Sequence, residues 1–214
     1  VDGAPDLNTV QRLVFNGAMT TVTPSGTRAF HAADLAHVAV FAALIAAMSL
    51  MPAIPLGGFG VPITLQTLAI SITGLCLGPW RGLAAVALYL LVGSAGLPVF
   101  AGGKAGLAVW AGPTAGYLVA FLVTVVVVGF LARAVTARGT SARTPIWLFL
   151  VLIACRVTIT YPLGTLGIAR ATGSSFGDVW LADLVYWPGD VIKSVIAVLV
   201  AYAIYKAFPR LLHR

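Results

Sequence analysis

The sequence predicts an all-α integral membrane protein with six transmembrane helices and with both chain ends in the cytoplasm. Composition is the first observation: hydrophobic residues make up 60% of the 214 residues, and charged residues only 9%. A soluble protein of this size could not cover its surface with so few charges. The other two observations are six apolar segments and a one-sided distribution of the basic residues between them.

The first 34 residues are predicted to be a cytoplasmic N-terminal extension that is partly disordered or lies on the membrane surface. Residues 35–214 are predicted to form the membrane domain. Backbone in lipid has to be helical, because a helix satisfies its own N–H and C=O groups. Six helices are therefore predicted, at residues 35–51, 63–77, 82–95, 114–135, 146–163 and 189–207.

The second and third apolar segments are shorter than the ~17–25 residues that a span needs. One long kinked helix is the alternative to two short ones. The sequence GPWRG at residues 78–82 disfavours it, because adjacent Gly and Pro residues mark turns. We therefore expect the chain to reverse its direction at this point.

The basic residues predict the orientation. With both ends inside, nine Lys and Arg residues are cytoplasmic, two (Lys104 and Arg170) are external, and Arg156 and Lys193 fall within spans. Cytoplasmic loops of membrane proteins carry this excess of positive charge. Because the basic residues are dispersed between apolar segments, the net charge of +7 indicates topology rather than a nucleic-acid partner.

Two loops on the predicted external side, residues 52–62 and 97–113, are long, apolar and rich in glycine. Loops at a protein surface are usually polar, so we expect these two to pack over a cavity between the helices. The alternative is that they only cap the helix bundle.

The strongest candidate site lies at the start of the last apolar segment. Pro188 suits the first turn of a helix, and Asp190 is favoured near the positive end of the helix dipole. Lys193 follows three residues later and projects from the same face. A lysine within a span indicates a polar interior or a ligand. The alternative is an ion pair without a ligand, or a lysine that reaches the membrane surface.

Two other polar residues lie within predicted spans. Arg156 is either a ligand contact or a structural anchor, and Gln66 either contacts a ligand or links two helices. The first span also has alanines at small-xxx-small spacing, which let another helix approach closely, either inside the bundle or from another subunit. These alanines are Ala39, Ala42, Ala43, Ala46 and Ala47.

Neither a metal site nor a cofactor is predicted. The two Cys and three His residues form no cluster with metal-ligand spacing, and the chain contains no Glu. A small membrane enzyme is therefore a weaker interpretation, in which Asp190 and Lys193 would act as acid and base. A purely structural helical subunit is a third interpretation.

Several motifs together resemble the biotin transporter family, BioY. They are VPITLQ at 61–66, LGPWRG at 77–82, YLLVG at 89–93, GLPVFAGG at 96–103, GPTAGY at 112–117 and PGD at 188–190 with Lys193. The resemblance implies a high-affinity biotin-binding subunit of an energy-coupling factor (ECF) vitamin importer in a prokaryotic plasma membrane. It implies neither a catalytic activity nor a cofactor. Thiamine or riboflavin remains an alternative ligand.

The resemblance also implies partners. These are membrane lipid, two ATPase subunits and a transmembrane coupling subunit, which family members are thought to dock near the first-span alanines. A homo-oligomer and transport without the ATPase subunits are left open.

Biotin joins an apolar bicycle and tail to a ureido group and a carboxylate. On the resemblance, Asp190 would accept hydrogen bonds from the ureido N–H groups, and Lys193 would meet the carboxylate or the ureido oxygen. The full set of candidate ligand-binding residues is Asp190, Lys193, Gln66, Tyr89, Phe100, Gly102, Gly103, Tyr117 and Arg156.

Overall fold

Seven α-helices lie within the part of the chain that the computed structural model describes, residues 32–52, 59 and 61–208. They are α1 (Ala32–Leu50), α2 (Gln66–Ser94), α3 (Ala115–Thr136), α4 (Thr144–Cys155), α5 (Tyr161–Thr172), α6 (Phe176–Asp183) and α7 (Trp187–Ala207). The described residues contain no β-strand, which confirms the all-α prediction. Residues 1–31, most of the predicted N-terminal extension, lie outside the described part.

Among the described residues, five helical stretches are long and apolar enough to cross a membrane, as expected of a multi-pass membrane protein. They are Ala32–Leu50, Gln66–Ser94, Ala115–Thr136, Thr144–Thr172 and Phe176–Ala207. The second and third predicted segments both fall within α2. A five-residue π-helical turn, Arg156–Thr160, joins α4 to α5.

The prediction that the fifth helix ends at residue 163 was wrong, because α5 continues to Thr172. The glycines that follow residue 163 are not loop residues. A Cβ on Gly167 would lie 2.6 Å from the Cα of Gly116 in α3, so this glycine allows two helices to touch. The last helix is likewise preceded by a further short helix, α6.

The α2 element reverses direction at Gly78. This residue has φ 74° and ψ −172°, a conformation open to glycine, so the helix is broken between residues 77 and 79. Gln66 Nε2 donates a hydrogen bond of 2.6 Å to the hydroxyl of Tyr89. In a straight helix these residues would be ~35 Å apart at 1.5 Å per residue. The two arms of α2 are therefore antiparallel, as the GPWRG sequence predicts.

Basic residues collect where this hairpin turns. Arg81 Nη2 lies 2.8 Å from Asp34 Oδ1 at the start of α1. The guanidinium of Arg133, near the end of α3, packs so closely on Gly78 that a Cβ there would be 2.6 Å from Nε. The start of α1, the α2 turn and the end of α3 thus share one end of the bundle.

The end of α7 joins them, since the hydroxyl of Tyr205 donates to the carbonyl oxygen of Leu75. We call this the basic end; its described cations are Arg81, Arg133, Arg138, Arg143 and Lys206. We call the opposite end, which carries Lys104 and Arg170 and the starts of α3 and α7, the pocket end.

The five alanines of α1 divide between two environments. Ala42 is buried in the core and Ala46 packs against it, within a cluster that includes Ile45. Ala39, Ala43 and Ala47 are exposed. Of the five alanines, these three are spaced four residues apart along one face of α1 and do not pack inside the bundle.

Candidate ligand-binding site

A cavity of about 60 Å³ lies at the pocket end. It is bounded by the start of α2, the loop that follows α2, the first turns of α3 and the first turns of α7. Its lining is mostly apolar, with a few polar groups, as is usual for small-molecule sites. The lining residues are Val61, Pro62, Ile63, Thr64, Gln66, Thr67, Phe100, Ala101, Lys104, Val109, Thr114, Tyr117, Leu118, Phe121, Tyr186, Asp190 and Lys193.

The carboxylate of Asp190 is the centre of the polar groups in this site. Its Oδ1 accepts hydrogen bonds from Lys193 Nζ at 3.0 Å and from Thr67 Oγ1 at 3.1 Å. Its Oδ2 accepts from the hydroxyl of Tyr161 at 3.0 Å and lies 3.0 Å from Arg156 Nη1. Four elements of the fold therefore meet at one carboxylate: α2, the π-helical turn, α5 and α7.

The site holds three charged side chains away from water. Asp190 and Arg156 are each 6% exposed, and Lys193 is 8% exposed. Burying charges is costly unless they are paired, and two cations here share one anion. Within the described residues, Arg156 Nε and Nη1 have no hydrogen-bond partner. The pairing of Arg156 with Asp190 thus rests on charge rather than on an aligned hydrogen bond.

A π-helical turn begins at Arg156, and the helix then returns to α geometry at Tyr161. Such turns change the direction in which side chains project and occur often at functional sites. Here both residues that flank the change contact Asp190. The turn is therefore the local feature that brings α4 and α5 to the site.

A second polar group joins the two arms of α2. Besides its bond to Tyr89, Gln66 accepts a hydrogen bond from Thr64 Oγ1 at 3.1 Å. Tyr89 in turn donates to Ser49 Oγ at 3.3 Å. Gln66 is therefore held on both sides of its amide, and its orientation towards the cavity is fixed.

Two aromatic side chains of the wall depend on glycines. Phe100 packs against Gly93, where a Cβ would lie 2.4 Å from the ring, and makes an edge-to-face contact with Tyr89. The ring of Tyr117 packs against Gly164, where a Cβ would lie 2.3 Å away. Neither ring could occupy its position if a residue with a side chain replaced the glycine.

The structure places the predicted site residues at different distances from the cavity. Five of them line it: Gln66, Phe100, Tyr117, Asp190 and Lys193. Tyr89 and Arg156 contact lining residues from behind. Gly102 and Gly103 lie in the loop between the lining residues Ala101 and Lys104.

Sequence reasoning missed several polar residues of the site. Thr64, Thr114 and Tyr186 line the cavity, and the buried Asp183 accepts a hydrogen bond from the lining residue Tyr117.

Thr67 and Tyr161 look like ordinary residues of apolar spans, and only the tertiary structure brings them to Asp190. For Lys104 the sequence predicts only a position on the external side of the membrane. Its position in an apolar glycine-rich loop was the signal that it belongs to the cavity wall.

The cavity is smaller than the ~300–1,000 Å³ of typical ligand pockets. We therefore expect the walls to move apart when a vitamin-sized molecule binds. The loop that carries Phe100, Ala101 and Lys104 is the wall built from short 3₁₀ turns rather than from a long helix.

The fold and the cavity define a multi-pass helical membrane protein with a candidate small-molecule pocket at one end. The sequence pattern of the BioY family matches residues 19–210, so the chain belongs to the BioY family. This confirms the resemblance that the motifs indicate.

Two relatives are similar over most of their length. The Biotin transporter BioY of Rhizobium etli is 38% identical over 179 residues, which cover 83% of this chain and 96% of the relative. The Biotin transporter BioY of Rhodobacter capsulatus is 39% identical over 183 residues, covering 80% and 93%. The crystal structure of the S-component for biotin from an ECF-type ABC transporter matches with a TM-score of 0.76 at 28% identity, covering 81% of this chain and 91% of that one.

Replacing Asp190 with Asn should destabilise the protein strongly, because it leaves Arg156 and Lys193 buried without a counter-ion. Breaking a buried pair in this way costs about 3–5 kcal/mol. Unfolding of the purified protein in mixed micelles, titrated with dodecyl sulfate, measures the loss. Asp178→Asn is the matched control: this carboxylate is exposed and accepts from Ser175 Oγ in the first turn of α6, so losing its charge should cost about 1 kcal/mol or less. Equal stability of the two variants would contradict a central role for Asp190.

Proposed function

We propose that this protein binds biotin at the pocket end and is the substrate-binding subunit of an ECF-type vitamin importer. The observation that carries the proposal is the buried Asp190 cluster on the wall of an otherwise apolar cavity. It is supported by the relatives, which are named biotin transporters rather than enzymes.

The ureido end of biotin suits the buried cluster. Asp190 already accepts hydrogen bonds from three donors, and a ureido N–H in the cavity would reach it by replacing Thr67, the neutral donor that also lines the cavity. Lys193 has three donor hydrogens, and its contacts to Asp190 and Thr67 use two. The third is available to the ureido oxygen.

The carboxylate end of biotin suits Lys104. This lysine lines the cavity from the exposed side, and among the described residues its ammonium group has no ion-pair or side-chain hydrogen-bond partner. Two carboxylates lie in this region, Asp190 and the buried Asp183, which accepts from the lining residue Tyr117. The three cations Arg156, Lys193 and Lys104 outnumber them, so this part of the site favours an anion. Thiamine, a cation, would be disfavoured by the same charges.

Lys193→Met should weaken equilibrium binding of labelled biotin at least ~30-fold, because losing one partner of a desolvated contact costs about 2–5 kcal/mol. Lys206→Met makes the same change at the basic end and should leave the affinity unchanged. Excess unlabelled thiamine or riboflavin should not compete. Competition by either vitamin at equal concentration, or wild-type affinity in Lys193→Met, would contradict the proposed ligand or site.

Biotin amide distinguishes the two lysines, because it keeps the ureido ring and lacks the negative charge. Lys193→Met should weaken the acid and the amide equally. Lys104→Met should weaken only the acid, by up to ~5-fold, since an exposed ion pair contributes about 0–1 kcal/mol. The reverse pattern would place the carboxylate at Lys193 instead.

We further propose six membrane crossings with the basic end in the cytoplasm of a prokaryotic cell and the pocket end outside. The antiparallel arms of α2 would make two short crossings, and the basic residues would obey the positive-inside rule. Arg138 and Gly177, both exposed, mark the two ends.

Single cysteines at these positions test the orientation. With Cys76 and Cys155 replaced by Ala, a membrane-impermeant maleimide added to intact cells should label Gly177→Cys and not Arg138→Cys. Both should react after the cells are opened. Labelling of Arg138→Cys from outside would reverse the proposed topology.

The exposed alanines of α1 are the proposed contact with a transmembrane coupling subunit, which would connect the chain to two ATPase subunits. Close helix packing needs small residues. Ala43→Trp should therefore reduce the rate of biotin uptake at least tenfold, while biotin binding by the isolated chain stays unchanged. Leu199→Trp, at an exposed position of α7, is the control and should leave uptake intact. Normal uptake by Ala43→Trp would exclude this face.

A further inference from the structure

A second cavity, outside the candidate site, opens on the outer face of the bundle at the pocket end. It is a groove of about 750 Å³ between the first two turns of α3, one face of α5 from Leu163 to Ala171, and the Leu107–Ala111 turn. Its volume falls within the ~300–1,000 Å³ of ligand-sized sites. Val119 and Leu166, both exposed, form its membrane-facing edges.

The groove follows from how α3 and α5 pack. Gly116 and Gly167 bring the two backbones together, since a Cβ on Gly116 would lie 2.1 Å from the carbonyl oxygen of Leu163. Ala115 and Ala171 beside this contact are too small to fill the space on either side. The close contact forms the floor of the groove, and the small side chains leave it open.

Arg170 is the one charged residue that lines the groove. Within the described part of the chain, its guanidinium has no hydrogen bond or ion pair. A cation near the end of a membrane helix is stabilised by reaching the polar interface, where phosphate groups are its available partners. The side chains that line the groove are therefore apolar except for Arg170 and the indole N–H of Trp110, and the only positive charge among them is that of Arg170.

The depth of Arg170 agrees with such a partner. It lies in the last turn of α5, two residues before the helix ends at Thr172. Trp110, another lining residue, donates from its indole Nε1 to Ser94 Oγ at 2.9 Å. Tryptophan with its N–H on a polar group is typical of the headgroup level of a membrane.

We propose that this groove binds one anionic phospholipid, with the phosphate at Arg170 and an acyl chain between α3 and α5. The apolar walls match the chain, and the unpaired guanidinium matches the headgroup, to which it can donate two parallel hydrogen bonds. A neutral or zwitterionic lipid would gain the same apolar contacts and less from the charge. The preference for an anionic headgroup is thus the property that identifies the site.

Native mass spectrometry tests the proposal. The full chain is incubated in detergent with phosphatidylglycerol or with phosphatidylcholine of identical acyl chains, and the lipid that stays bound after the detergent is removed is measured. One phosphatidylglycerol should be retained per chain, at least tenfold in preference to phosphatidylcholine. Arg170→Gln should remove the preference. Arg138→Gln, the same change in an exposed arginine at the basic end, should preserve it. Ala115→Leu should reduce retention of both lipids by filling the groove.

Several results would overturn the proposal. They are equal retention of the two lipids by wild type, equal loss in the two arginine variants, and full displacement of the lipid by soluble glycerol phosphate. A dimer that replaces the lipid and dissociates in Ala115→Leu would assign the groove to a second copy instead. Thermal unfolding of each variant checks its folding, and Ala115→Leu provides the test if Arg170→Gln does not fold.

Discussion

The carboxylate of Asp190 is the interaction on which the rest of this structure depends. Among the described residues, it is the carboxylate that forms ion pairs with two buried cations, Arg156 and Lys193, and it also accepts from Thr67 and Tyr161. In a membrane, polar groups without partners are costly, so these contacts hold the elements that carry them in one arrangement. The same groups line or support the cavity. Asp190 therefore both holds the helices together and supplies the central polar group of the candidate binding site.

The hairpin in α2 explains how a short chain brings so many groups to one end. Because Gly78 reverses the chain, Thr67 at the beginning of the first arm and Tyr89 in the second arm both lie at the pocket end. A straight helix of the same length would separate them across the whole bilayer. Glycines then allow the aromatic wall: Gly93 admits Phe100, and Gly164 admits Tyr117. The break in the helix at Gly78 and the glycines that make room for aromatic rings are therefore as important for forming the cavity as its polar residues.

Sequence reasoning was successful where the pattern is local. Composition and apolar runs predict the helices, GPWRG predicts the reversal, and the three-residue spacing of Asp190 and Lys193 predicts their shared face, at 3.0 Å from each other. It missed what only tertiary contacts determine. Nothing in the sequence distinguishes Tyr161 from any tyrosine of an apolar span, and Gly164 looks like a loop residue until Tyr117 is packed on it.

One loop connects the two cavities of the pocket end. Val109 in the Leu107–Ala111 turn lines the candidate site, whereas the neighbouring Trp110 lines the outer groove. This loop is attached to the end of α2 by the bond from Gly106 N to Gly93 O and by the bond from Trp110 to Ser94. The inner cavity is only about 60 Å³, whereas the outer groove is about 750 Å³. Because this loop separates the two spaces, an outward movement of the loop would enlarge the inner cavity at the expense of the groove.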